Sequence, residues 1–155
     1  MDHQFHLHTK SLLHRILIEK VDEKIAAAHA DLVSATESRN SDTKSSAGDK
    51  HETGRAMMQM EVDYAGMQLQ KALQLKGELD QIDFQTKSER AVAGSLVTTS
   101  RGQFLLSIGL GRLETVEGPF FAISPGSPIG QALTGKKKGD TFAFQGSGAE
   151  VLMVA

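Results

Sequence analysis

Apolar side chains recur at steps of three and four residues early in the chain: Leu13, Leu17, Val21, Ile25, Ala28, Leu32 and Ala35. That spacing lines one face of an α-helix, and Glu19, Asp22, Glu23 and Lys24 fill the other faces. From Ser38 to Ala47 the text turns to Ser, Asn, Asp, Thr and Gly without apolar periodicity, so the helix should end or fray there. A second periodic run follows at Met58, Val62, Ala65, Leu69, Ala72 and Leu79, with Met60, Tyr64 and Met67 expected to broaden its stripe. Each segment is roughly 30 residues, or about 45 Å of helix. Neither is apolar all round, so each needs a partner stripe, and the nearest is the other. The pattern predicts an antiparallel two-helix coiled coil. Gly54, Gly66 and Gly77 fall inside the second helix, where each is worth up to about 1 kcal/mol less than alanine. Nothing in the pattern explains them.

Near residue 90 the character changes. Glycines crowd in, and Pro119, Pro125 and Pro128 are the only prolines of the chain. Strands are expected near Ala93–Thr99, Gln103–Ile108, Pro119–Ile123, Asp140–Phe144 and Glu150–Val154, separated by Gly, Ser and Pro turns. Between them, Ser127 and Pro128 open a short helix and Gly135 closes it, with Ile129, Ala132 and Leu133 toward the sheet. The expected class is α+β: an N-terminal helical hairpin over residues 1–88, then an antiparallel β-sheet domain with one short helix over 89–155.

Composition narrows the functions. At 155 residues the chain supports one or two small domains. A net charge of −2 gives no sign of nucleic-acid binding by charge alone. There is no cysteine, which removes disulfides, thiolate metal sites and a catalytic thiol. Tryptophan is absent and Tyr64 is the only tyrosine, which argues against an aromatic platform for bases. No apolar run approaches membrane length, and the first residues lack the basic start and apolar core of a signal peptide. A cytoplasmic location, no membrane partner and a monomer are the expectations.

The candidate chemistry lies in Gly48-Asp49-Lys50-His51-Glu52, at the start of the second helix. Asp49 and Glu52 are three residues apart, so both could address one cation from one helical face. The same spacing is a capping box, in which Asp49 accepts from the backbone and Glu52 reaches back. Spacing leaves both open. His3, His6, His8 and His14 fit no standard metal site and read as an ordinary N-terminus, and His51 reads as solvated. Met57, Met58 and Met60 read as adaptable hairpin packing. Lys136, Lys137 and Lys138 form a basic cluster after the short helix: either a solvated turn or a contact for an acidic surface.

The stretch Ser127–Asp140, Ser-Pro-Ile-Gly-Gln-Ala-Leu-Thr-Gly-Lys-Lys-Lys-Gly-Asp, resembles the C-terminal domain of the bacterial Gre transcript-cleavage factors. Ala93–Val97 resembles that family's domain-opening strand, Phe121–Ser124 its strand before the motif, and Gly48–Glu52 its hairpin-tip signature. The resemblance spans essentially the whole chain and implies an FKBP-like fold for the second part. It implies binding to RNA polymerase through the secondary channel, with contact to RNA or DNA only within the elongation complex. Asp49 and Glu52 would help hold a Mg²⁺ ion of the polymerase and so stimulate its own cleavage of backtracked RNA. Ser127, Pro128, Lys136, Lys137 and Lys138 would meet the polymerase. No cofactor of its own and no complete catalytic constellation are implied, so the chain is expected not to be an enzyme alone. An FKBP-like fold does not bring prolyl isomerase activity with it. The chain departs from the family at Thr53-Gly54-Arg55-Ala56-Met57, where an acidic position has become Arg55 and an aromatic one Met57. A paralogue that occupies the channel without cleavage is therefore the alternative.

Overall fold

The computed structural model describes the backbone of residues 3–42 and 48–155, and the side chains of residues 6–41 and 53–155. Two long helices, α1 (His3–Asp42) and α2 (Gly48–Asp80), precede six strands and a short helix. The strands are β1 (Leu96–Thr99), β2 (Gly102–Leu106), β3 (Gly111–Thr115), β4 (Gly118–Ile123), β5 (Thr141–Phe144) and β6 (Ser147–Val154), with α3 (Pro128–Leu133) between β4 and β5. The class is α+β, as the pattern predicts. By compactness the chain divides into residues 18–77 and a second unit of residues 1–17 with 78–155.

Residues 18–77 form an antiparallel helical hairpin. Asp22 of α1 meets Lys76 of α2 at 2.8 Å, and Arg39 donates to Gln59 at 3.0 Å, so early α1 faces late α2. The seam is built largely from small residues: Val21, Ala28, Ala65 and Ala72 are buried, and Ile25, Leu32, Val62 and Leu69 are half-buried. One expectation fails here. Met60, Tyr64 and Met67 do not broaden the stripe but stand 70%, 63% and 52% exposed. A seam of alanines brings two helices together along a narrow line, and residues flanking that line are left outside it. α1 also runs further at both ends than its apolar stripe, starting at His3 and reaching Asp42 through the polar text.

In the second unit, the sheet order is β3-β4-β2-β1-β6-β5. The sheet is mixed rather than wholly antiparallel: β2 pairs parallel with β4, Phe104 beside Phe121 and Leu106 beside Ile123. The connection between them carries β3, which the pattern did not show. Its residues Gly111-Arg112-Leu113-Glu114-Thr115 bury only Leu113, as suits an edge strand, and one apolar side chain leaves no alternation to read. One face holds the core of Val97, Phe104, Leu106, Leu133, Phe142 and Val151. Ile129 and Ala132 pack against it beside Leu133, as expected for α3.

Leu96, Leu105, Leu113 and Phe120 point the other way by register and are equally buried. The first turns of α1 belong to this unit. Leu13 and Leu17 are fully buried, Thr9 donates to Glu117 at 3.4 Å, and His14 stacks on Phe84 with centroids 4.3 Å apart. The N-terminal histidines are therefore partly structural: His6 is buried and His14 is a packing residue. Lys10 is 1% exposed and donates its ammonium to the Thr86 carbonyl at 3.1 Å. Burial pushes its pKa below the usual lysine range, and the Asp83 carboxylate partly opposes this.

Candidate functional site

The carboxylate pair sits at the start of α2, at its second and fifth residues. Helix begins at Gly48, so Asp49 and Glu52 both have helical backbone. A cap residue precedes the helix and is itself non-helical, whereas Asp49 is already inside it. The side chains of Asp49, His51 and Glu52 lie outside the described residues, as does the stretch 43–47 before them. The backbone sets Asp49 and Glu52 at helical positions three apart, on one face of α2. Beyond them, Thr53, Arg55, Ala56 and Met57 are exposed, so the residues that depart from the Gre pattern are presented to solvent. Arg55 is three positions on from Glu52 and shares its face. Among the described residues no group of three or more His, Asp or Glu is gathered closely enough to hold a metal ion.

The second group of candidates surrounds α3. Ser127 is its N-cap: the hydroxyl accepts from the Gly130 amide at 3.1 Å and donates to the Ser124 carbonyl at 2.7 Å. Pro128 occupies the first helical turn and is exposed. A side chain at position 130 is impossible without movement, since a Cβ there would lie 2.0 Å from the Ser124 carbonyl oxygen. The Ser-Pro-Ile-Gly run is thus shaped by how tightly α3 turns back over the end of β4.

Lys136, Lys137 and Lys138 follow α3 in a loop that is held rather than loose. The Ala91 amide donates to the Lys136 carbonyl and the Gly135 amide to the Ala91 carbonyl, each at 2.8 Å. Asp140 closes the turn by accepting from the Lys137 amide at 3.0 Å. Lys137 and Lys138 are exposed, and Lys136 is half-buried. The structure adds Arg90, which bridges to Lys137 through the backbone and donates its guanidinium to the Gly135 carbonyl at 3.0 Å. Nothing local in the sequence marks Arg90, which lies 46 positions before Lys136 and outside any motif; only the bridge brings it there. The result is an ordered basic patch of Arg90, Lys137 and Lys138, suited to an acidic surface.

No protein-family model matches the chain, and no curated protein matches it significantly. Among solved structures, that of the transcription factor Gfh1 is similar at 16% identity, covering 88% of this chain and 91% of that one, with a TM-score of 0.35. Superposition at that level is too loose to transfer residues or activity, so the elements and the candidate sites rest on this chain's own geometry. Among the described residues, no helix is long and apolar enough to cross a membrane.

Proposed function

We propose that this chain is a Gre-like transcription elongation factor that binds RNA polymerase through its secondary channel and stimulates cleavage of backtracked RNA. The supporting observation is the placement of Asp49 and Glu52 at the start of the second hairpin helix, three positions apart on one face. In this reading the two carboxylates complete a Mg²⁺ site held jointly with the polymerase, since that ion takes one or two carboxylates with waters and phosphate. The ion would supply charge stabilisation for phosphodiester hydrolysis. The helix contributes position, and the patch of Arg90, Lys137 and Lys138 contributes a second contact to the polymerase. Asp49 and Glu52 do no chemistry without the polymerase, so the chain is not an enzyme alone.

A second reading has its own observation. Arg55 is exposed and follows Glu52 by one helical step of three, where a fixed positive charge opposes a cation. A factor that occupies the channel without cleaving would tolerate this. Backtracked elongation complexes incubated with the wild type, Asp49→Asn and Arg55→Glu test both. Under the first reading the wild type shortens the RNA, Asp49→Asn does not, and Arg55→Glu is at least as active. Polymerase binding by a wild type that yields no shortened RNA leaves the second reading standing. Failure to bind polymerase removes both.

A further inference from the structure

α2 carries two apolar stripes, and the hairpin uses one. The inward stripe is Met58, Val62, Ala65, Leu69 and Ala72. The other is Met57, Met60, Tyr64 and Met67, exposed by 62%, 70%, 63% and 52%. Its steps of three, four and three are those of the a and d positions of a coiled coil, sustained over about 15 Å of helix. Thr53 and Lys71 occupy the same register before and after it, so the stripe has polar ends. Between it and α1 runs an open groove of ≈ 590 Å³, floored by Met57, Met60, Tyr64 and Ala65 and walled by Ala35 and Ser38. Large apolar side chains exposed in a row mark an interaction surface, and methionine is suited to adaptable ones.

Charge decides what fits. The charged side chains lining the groove are Asp31 and Glu61, both acidic. Glu61 lies along one side of the stripe, and exposed Asp63, which accepts from Gln59 at 2.9 Å, lies along the other. Gln68 and Gln70 complete the flanks. Along the flanks a second copy would set Glu61, Asp63, Gln68 and Gln70 against the same residues, with Lys71 adding a cation only at the polar end of the stripe. We infer that this face docks a partner protein's amphipathic helix whose apolar stripe is flanked by Lys or Arg. The inference is independent of the tip carboxylates and of any cleavage activity.

Tyr64 makes the test direct. It is the only tyrosine in a chain without tryptophan, so intrinsic emission reports on the stripe alone. The probe is a synthetic helical peptide with Leu at a and d, Lys at e and g, and no aromatic residue, paired with a second peptide carrying Glu at e and g. The Lys peptide should change Tyr64 emission saturably and bind at least about tenfold tighter than the Glu peptide. Met60→Lys should weaken the Lys peptide by about tenfold or more, and Glu61→Lys should narrow the preference between the two peptides. Both positions are exposed, and circular dichroism should show the helix content unchanged. Equal binding of the two peptides, no saturable change, or a concentration-dependent dimer that occupies Tyr64 without peptide would each overturn the assignment.

Discussion

Glycine does opposite things in the two regions of this molecule. In the β-containing unit, a Cβ at Gly130 would meet the Ser124 carbonyl oxygen at 2.0 Å, and one at Gly94, where φ is +93°, would meet the Asp83 carbonyl oxygen at 2.2 Å. Both obstacles are backbone, which cannot move aside as a side chain can. In the hairpin, a Cβ at Gly66 or Gly77 would meet nothing within 4 Å. The first region is specified by close approach of chain segments, and its glycines are structural requirements. The second is specified by a narrow seam, and its glycines lower helix stability with no contact in return.

Breaking the close approach should have the largest effect. Gly130→Ala should lower stability by roughly 3 kcal/mol, because α3 must lift from the end of β4. Denaturant titration checks it, and a loss below the range of ordinary surface substitutions would mean that the turn yields easily. Filling the open positions should act in the other direction. Gly66→Ala and Gly77→Ala should each raise stability by about 1 kcal/mol, and their effects should add because no partner is shared. A loss at either position in thermal unfolding would show that the glycine serves a contact made only with a partner.

Lys10 offers a pH test confined to the β-containing unit. Its folded pKa lies below its unfolded value, so the unfolded chain binds more protons between the two. Stability from this group should therefore rise as pH climbs through the folded pKa toward the ordinary value of 10.5, and fall as pH drops back. The difference in unfolding free energy between the wild type and Lys10→Met, followed from pH 7 upward, should show that rise. The hydrogen bond to Thr86 and the charge of Asp83 offset the burial of the ammonium, so the effect should be smaller than that at Gly130. The smallest change is expected at the β5–β6 turn. Gln145 has φ +50° and precedes Gly146 at +81°, the geometry of a two-residue hairpin turn that favours Asn-Gly. Gln145→Asn should add a few tenths of a kcal/mol to the midpoint stability.

Much of the candidate site was legible because its signals are local. Asp49 and Glu52 announce themselves by spacing next to a polar break, and the helix there does begin at Gly48. The Ser127 cap, Pro128 and the inward residues of α3 follow from chemistry contained within seven positions. Arg90 was not legible, because it joins Lys137 through a β-bridge between distant segments. Nor was the direction of Met60, Tyr64 and Met67. Residues one step from a helix seam are equally apolar in the text, and only the rotation of α2 against α1 separates Met58 from Met57.

By itself, the sequence determined the α+β class, two long amphipathic helices and a capped short helix among strands. Periodicity and capping are properties of contiguous residues, so they are written where they act. The tertiary structure alone decided that β2 pairs parallel with β4 around an edge strand with one inward side chain, and that Lys10 is buried. It also decided that α2 turns a second apolar stripe to solvent. Each of these depends on which distant segments meet, and that is settled by packing the whole chain rather than by any stretch of it.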